Sequence, residues 1–254
     1  MAFEWASWLE NNHIIVHAAD LQLNPPQSYL FVQDFLIILC ALLYCFCYVF
    51  YTLRTKRDRF LAGPVDLLFG NLAYELYYPF VMARGKLELA GCLVWLLLDV
   101  RFVYTAIKYT CPPGTRLKVT LRCALSTLAL TAVYYLLGLY FPDDGEQVTA
   151  YWTGWLLELG IGWCEVLYLW KHAHTKGQSL EIWCRVVRFC GVLSAMAVFF
   201  WRYLNVPQNW AYVVSWPSIV LVVLNVVPEL MYPFLYRRAE RKMREAAVQK
   251  EKTY

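Results

Sequence analysis

Two segments of the chain repeat one pattern around a glutamate in an apolar run. Residues 71–80 read NLAYELYYPF and residues 225–234 read NVVPELMYPF, so six of ten positions are identical. A carboxyl group in an apolar environment favours its protonated form, because the charged form would lose its hydration. A protonated carboxyl can act as a general acid. The pattern therefore predicts acid–base chemistry by Glu75 and Glu229.

The spacing of the pattern predicts how each glutamate is supported. An asparagine precedes each glutamate by four residues, as Asn71 and Asn225, and a proline follows it by four. Residues four apart lie on one face of a helix, so each asparagine is expected to hydrogen-bond its glutamate. The proline has no N–H to offer the glutamate's own carbonyl oxygen. Each acid is thus expected at a local kink with hydrogen-bonding groups around it.

Three further acids lie in apolar runs, where an ionisable group costs several kcal/mol and is a functional candidate. Asp99 is either a pocket residue or the partner of Arg101 or Arg188. Glu158 and Glu165 share a helical face at i, i+7. These two either line the same cavity as the repeated glutamates or pair with arginines.

Aromatic residues near these acids complete the set of pocket candidates. The face of an aromatic ring attracts cations, so such rings could stabilise a positively charged intermediate. The candidate substrate-pocket residues are Asn71, Asn225, Asp99, Tyr74, Tyr78, Tyr232, Glu158, Glu165 and Trp163.

The elements that position these residues are predicted to be membrane-spanning helices. The 254 residues are 60% hydrophobic and 17% charged, whereas soluble domains average about 25% charged. Charge-poor stretches long enough to cross a bilayer recur along the chain. We expect an all-α, polytopic membrane protein with a seven-transmembrane helix bundle. The predicted spans are residues 29–53, 66–83, 89–107, 123–141, 148–170, 182–203 and 210–236. In the sixth, Arg185 and Arg188 are expected to extend to the nearer membrane surface.

The basic residues predict the orientation of the bundle. With seven spans, one side holds 19 of the 23 Lys and Arg residues, and that side is expected to be cytosolic. The predicted organisation is a luminal N-terminal segment (1–28), a seven-helix transmembrane catalytic domain (29–236) and a basic cytosolic tail (237–254). Glu75 and Glu229 would lie about 14 and 12 Å from the cytosolic ends of their helices. We therefore expect them to face one cavity in the cytosolic half.

Composition and missing motifs exclude several classes. The small net charge of +4 sits in loops, which argues against nucleic-acid binding, and no cysteine pair has metal-site spacing. The helices contain no diphosphate-binding acid cluster of the DDxxD or NDxxD kind, which argues against Mg²⁺-dependent ionisation. P-loop, GxSxG and HExxH motifs are also missing. No metal and no cofactor is therefore expected.

The two glutamate segments carry a family resemblance. Residues 71–75 (NLAYE) and 229–233 (ELMYP) make the chain resemble the fungal membrane-bound terpene cyclases of meroterpenoid and indole-diterpene pathways. The last-helix acid in that family is commonly Asp, where this chain has Glu229. The residue before the second-helix acid is often Trp, where this chain has Tyr74. Both differences bear on pocket shape, and neither removes a proton donor.

The resemblance implies a reaction and a set of roles. It implies protonation-initiated cyclisation of an epoxidised prenyl chain, farnesyl or longer, on an aromatic or polyketide-derived group. Glu75 would donate the proton, and Glu229 would set its protonation or take the final proton, with exchangeable roles. The expected partners are this lipophilic substrate and membrane lipids, with no nucleic acid and no obligate protein partner. The endoplasmic reticulum membrane is the implied location.

Other functions are compatible with the same residues. A proton-coupled transporter of the seven-helix PQ-loop type would also use buried acids and helix-kinking prolines. The chain contains Pro26–Gln27 and Pro207–Gln208, but both pairs fall in predicted luminal loops. A receptor or structural membrane protein is a third option, in which the glutamates would only join helices.

Overall fold

The computed structural model is all-α and describes residues 12–83, 85–141, 148–172, 174–177 and 182–251. One short helical turn precedes the first long helix (Ala18–Leu21), and others lie between the long helices (Pro113–Thr115, Pro207–Trp210 and Ala211–Val214). In these ranges the helices of twelve or more residues are α1 (Tyr29–Asp58), α2 (Asp66–Tyr77), α3 (Lys86–Thr110), α4 (Arg116–Tyr140), α5 (Val148–His172), α6 (Ile182–Asn205) and α7 (Trp216–Glu251). Residues 1–11, part of the predicted N-terminal segment, and the acidic loop at 142–147 lie outside the described residues.

The outer surface of the bundle is apolar. Leu97, Leu125 and Leu128 are each more than 60% exposed, which suits contact with lipid tails rather than water. Within the described residues, five helical segments are long and apolar enough to cross a membrane: Tyr29–Asp58, Lys86–Thr110, Pro113–Tyr140, Val186–Asn205 and Trp216–Ala246. The other two long helices are not among these five: α2 is too short, with only 12 residues, and α5 is less apolar along its length.

The helices pack in a pattern that puts α2 at the centre. α1 packs against α6 and α3, α7 packs against α5, and α2 contacts α3, α4 and α5. Buried α2 residues include Phe69, Leu72 and Ala73. Glu75 lies on this central helix and is therefore surrounded by protein rather than by lipid.

The two prolines that follow the repeated glutamates have different effects. α2 ends at Tyr77 and continues as a π-helical turn, Tyr78–Met82, that contains Pro79. A π-helical turn accommodates the missing N–H of proline by shifting the hydrogen-bond register. In contrast, α7 continues through Pro228 and Pro233 to Glu251. The predicted span at 210–236 thus begins later, at Trp216, and its helix runs on through the basic tail.

A buried polar cluster closes the end of the bundle at which α1 begins. The Asp20 carboxylate accepts hydrogen bonds from Tyr29 Oη at 2.7 Å and from Trp210 Nε1 at 3.0 Å. Arg202 is fully buried and donates from Nε to Gln33 Oε1 at 2.7 Å. The Asp20–Trp210 bond ties the chain before α1 to the connection between α6 and α7, and the Arg202–Gln33 bond ties α6 to α1.

Candidate active site

Glu75 is held through one of its two carboxyl oxygens. Its Oε1 accepts hydrogen bonds from the Tyr48 hydroxyl and from Asn71 Nδ2, the latter at 3.1 Å. The predicted bond between Asn71 and Glu75 is therefore confirmed. Glu75 Oε2 is buried and has no hydrogen-bond partner among the described residues. One oxygen is thus fixed by neutral donors, and the other is left for a further group.

Asp99 joins the same group of residues through Asn71. Asn71 Nδ2 lies 3.3 Å from Asp99 Oδ2 and 2.6 Å from the Tyr48 hydroxyl. Asp99 is fully buried, and its Oδ1 makes no hydrogen bond within the described part of the chain. We call Tyr48, Asn71, Glu75 and Asp99 the Glu75 cluster.

A cavity with aromatic walls lies beside Glu75. Its volume of about 160 Å³ is similar to the ~150 Å³ apolar cavities that bind benzene. Tyr74 reaches this cavity, donates to the Ala150 carbonyl oxygen at 3.3 Å and packs its ring on Tyr78 at 4.3 Å. The aromatic residues of the wall are Tyr44, Tyr48, Tyr74, Trp95, Tyr151, Trp155 and Phe199. We call this space the Glu75 cavity.

A second cavity of about 110 Å³ lies on the side of the α1–α2 connection. Residues 61–64 and Gly177 form one part of its wall, and Asp99, Glu165 and Arg188 form another. Four residues, Tyr44, Tyr48, Asn71 and Glu158, line both cavities. Glu158 therefore lies on the boundary between the two spaces.

Three glutamates surround Arg188, whose side chain is 3% exposed. Its Nε donates to Glu158 Oε1 at 3.1 Å, and its Nη2 contacts the same oxygen. Glu165 Oε2 lies 3.6 Å from Nη1, and Glu229 Oε1 lies 3.4 Å from Nη2. The prediction that Arg188 extends to the membrane surface is wrong, because three acids hold it inside. The Arg185 side chain lies outside the described residues. We call Arg188 and its three glutamates the Arg188 cluster.

Asn225 and Glu229, in the second copy of the repeated pattern, do not make the contacts that Asn71 and Glu75 make in the first. Asn225 Nδ2 donates to the backbone oxygens of Trp155 at 3.2 Å and Leu221 at 2.9 Å. Glu229 is 1% exposed beside Arg188 and lines neither cavity described above. The expectation that Glu75 and Glu229 share one of these cavities is therefore not met.

Three of the candidate aromatic residues also lie outside both cavities. Trp163 Nε1 donates to the Leu224 carbonyl oxygen at 2.9 Å, which joins α5 to α7. Tyr232 is 1% exposed and belongs to a packed group with Val166 and Leu169. Tyr78 packs on the rings of its neighbours in α2. The side chains of these three residues contact helix neighbours rather than either cavity.

Two central residues were not among the sequence candidates. Tyr48 contacts Glu75 directly, and Arg188 was considered only as a partner for Asp99 or as a residue that extends to the membrane surface. The spacing of Tyr44, Tyr48 and Tyr51 offered a signal, because i, i+4, i+7 puts three hydroxyls on one face of an otherwise apolar helix. In the described part of the chain, no group of three His, Cys, Asp or Glu side chains is arranged to hold a metal ion.

Comparison with known proteins decides the family. Residues 19–242 match the Pyr4-like transmembrane terpene cyclases. The chain belongs to this family. It is 25% identical to the Pyr4-family terpene cyclase mfmH of Annulohypoxylon moriforme over 236 residues, 91% of this chain and 96% of that one. It is 24% identical to terpene cyclase macJ of Penicillium terrestre, with 86% and 87% covered. It is 26% identical to terpene cyclase ausL of Aspergillus calidoustus, with 86% and 90% covered. No solved structure matches the chain.

Membership of the Pyr4-like family confirms the resemblance inferred from the two glutamate segments. The protein is a multi-pass membrane terpene cyclase of fungal secondary metabolism, and its substrate is a terpenoid. The transporter and receptor alternatives are wrong, because the chain is an enzyme of the terpene cyclase class.

Proposed function

We propose that this Pyr4-like cyclase protonates the epoxide of a prenyl chain with Glu75 and cyclises the chain through a carbocation. The observation that gives most support is the hydrogen bonding of the two Glu75 carboxyl oxygens. Tyr48 and Asn71 hold Oε1, while the buried Oε2 has no partner among the described residues and Glu75 lines an aromatic cavity. A proton on Oε2 could therefore pass to a substrate oxygen in that cavity.

The proposed reaction conserves all atoms. Glu75 gives its proton to the epoxide oxygen, a C–O bond breaks, and a hydroxyl group and a carbocation result. Alkenes of the same chain attack the cation and form rings, and the last cation loses a proton to become an alkene. Aromatic faces around the Glu75 cavity stabilise the positive charge as it moves. The product is an isomer of the substrate, and the reaction uses no metal and no cofactor.

Glu229 is proposed to act on the reaction indirectly, through Arg188. Its Oε1 lies 3.4 Å from Arg188 Nη2. Arg188 also holds Glu158, which lines the Glu75 cavity. Glu229 would therefore influence the cavity through Arg188, as a positioning residue for proton transfer.

The proposed substrate is an epoxidised farnesyl or longer prenyl chain on an aromatic or polyketide-derived group. A cavity of about 160 Å³ matches spaces that hold a benzene-sized group, which suits the epoxide end of such a chain. The remainder would extend towards the second cavity or the lipid. A hydrophobic chain of this kind partitions into the bilayer, so the bilayer would supply it.

The proposed membrane arrangement has seven spans, with α2 and α5 completing the five apolar ones. We place the N-terminus in the lumen and the tail from residue 237 in the cytosol, in the endoplasmic reticulum membrane. This assignment rests on the excess of basic residues on one side, which is 18 of the 19 counted in the sequence once the buried Arg188 is left out. Labelling of single introduced cysteines with an impermeant reagent would test it, and reversed accessibility of the two ends would refute it.

The reaction is tested with membranes that contain the protein. Epoxyfarnesyl- and epoxygeranylgeranyl-aromatic compounds are supplied with EDTA, and products are followed by liquid chromatography and mass spectrometry. We expect a new compound of unchanged mass that membranes without the protein do not form. Correctly inserted protein that leaves every such epoxide unchanged would contradict the proposal.

A further inference from the structure

The Glu75 cavity contains two carboxyl groups in different electrostatic settings. Among the described residues that line it, the acids are Glu75 and Glu158. The hydrogen bonds to Glu75 come from the neutral groups of Tyr48 and Asn71. In contrast, Glu158 forms an ion pair with the buried guanidinium of Arg188. The same cavity is therefore lined by Glu75, which accepts hydrogen bonds from neutral donors, and by Glu158, which is paired with a cation.

We propose that Glu158 is the base that takes the final proton from the cyclised cation. This inference rests on the proposed function, which requires that a proton leave the last cation. Glu158 accepts that proton, the electron pair of the broken C–H bond becomes the new alkene, and Glu158 ends as a neutral acid. The proton then returns to Glu75, which lines the same cavity, and the enzyme is ready for another substrate.

The contacts of Glu158 leave one oxygen available for this step. Both Arg188 contacts use Oε1, and Oε2 makes no hydrogen bond with another described residue. The Glu158 side chain is 16% exposed, whereas the Glu229 side chain is 1% exposed. Glu158 is thus the member of the Arg188 cluster that a molecule in the Glu75 cavity can reach.

The other acids near the site are less suited to this step. Asp99 and Glu165 line the second cavity and not the Glu75 cavity. Glu229 lies behind Arg188, outside both. The donor and the acceptor of the reaction therefore come from α2 and α5, and α6 supplies the cation that orients the acceptor.

The test compares Glu158→Gln with the matched control Glu165→Gln. Each variant removes one carboxylate from Arg188 and leaves two, so Arg188 keeps ionic partners in both. Reactions with an epoxyprenyl-aromatic substrate are run in unlabelled and in ¹⁸O-labelled water. The products are then separated, and their masses are measured by mass spectrometry.

We expect Glu158→Gln to consume the epoxide but to form less of the normal alkene. The unquenched cation would lose a proton elsewhere or capture water, giving alternative isomers and a product that carries one solvent oxygen. Loss of a general base lowers formation of the normal product by about 10²-fold or more. Glu165→Gln should keep the product pattern of the unaltered protein, whatever its rate.

Two results would overturn the assignment of Glu158. One is an unchanged product pattern from folded Glu158→Gln, and the other is no epoxide consumption at all, which would place Glu158 in the protonation step. If Glu158→Gln does not fold, Glu158→Asp replaces it, because it keeps the negative charge and moves the carboxylate by about 1 Å, a shift that costs a reacting group about 100-fold. An unchanged product ratio in that variant would also refute the inference. Failure of the unaltered protein to convert any epoxide would instead refute the proposed function itself.

Discussion

The first and second copies of the asparagine–glutamate–proline pattern lie in different surroundings. In α2, Asn71 donates to Glu75, and Glu75 lines a cavity with aromatic walls. In α7, Asn225 donates to backbone oxygens, and Glu229 lies beside Arg188. The local spacing is the same in both helices, so the neighbouring helices must decide what each glutamate contacts.

The two copies of the motif therefore have different roles. Tyr48 reaches Glu75 from α1, whereas Arg188 reaches Glu229 from α6. A hydroxyl group leaves a carboxyl able to hold a proton, and a guanidinium instead pairs with a carboxylate. The α2 copy is therefore suited to proton donation and the α7 copy to charge pairing.

Shortening Glu75 or Glu229 by one methylene should give the largest difference in kcat between the two copies of the pattern. Glu75→Asp should lower kcat by about 100-fold, because a shift of about 1 Å in a reacting group has effects of that size. Glu229→Asp should keep most of the activity, since a carboxylate beside Arg188 tolerates a small displacement. Steady-state rates of product formation provide the measurement. Equal losses in the two variants would contradict the division of roles.

Removal of the Tyr48 hydroxyl tests whether the α1 contact distinguishes the α2 copy. Tyr48→Phe should lower kcat about tenfold, because a hydrogen bond to a carboxyl group is worth roughly 1.5 kcal/mol. Tyr44→Phe is the matched control: it lies one turn away on α1, lines the same cavity and makes no hydrogen bond with another described residue. Similar rates for both variants would show that Tyr48 acts only by filling space.

Replacing the asparagine of each copy should give the smallest effects, and the same substitution is made in both copies. Asn71→Ala should lower kcat several-fold, since Asn71 orders the Glu75 cluster. Asn225→Ala removes two bonds to backbone oxygens and should lower the free energy of unfolding by about 1 kcal/mol, with a smaller effect on kcat. Thermal unfolding in detergent and initial rates are measured on both variants. A larger loss of kcat from Asn225→Ala than from Asn71→Ala would show that the α7 copy matters more for the reaction, contrary to this prediction.

The local parts of this arrangement could be predicted from the sequence. Apolar stretches predicted the positions of the helices, and the i, i+4 rule predicted the Asn71–Glu75 bond. Helix positions are properties of a single segment, but the bond also depends on tertiary packing. The same rule predicted a bond from Asn225 to Glu229, and that prediction is wrong, because Asn225 donates to the backbone oxygens of Trp155 and Leu221 instead. The π-helical turn at Tyr78–Met82 was predicted only as a kink, because proline shows which bond is lost but not how the backbone adapts.

The contacts between helices could not be predicted in the same way. Arg188 gathers acids from α5 and α7, and no spacing within α6 indicates which helices pack beside it. The expectation that Arg188 reaches the membrane surface followed from treating α6 as an isolated helix in lipid. Likewise, equal depth did not bring Glu75 and Glu229 to one cavity, because depth leaves the direction of each side chain open.

The most direct test of proton donation by Glu75 is epoxide conversion by Glu75→Gln, with Glu245→Gln as the control on the exposed end of α7. Both proteins are assayed with EDTA after size-exclusion chromatography and thermal unfolding show that they are folded. We expect no detectable product of unchanged mass from Glu75→Gln and normal product from Glu245→Gln. Product formation by folded Glu75→Gln at a rate near that of the unaltered protein would show that Glu75 is not the proton donor.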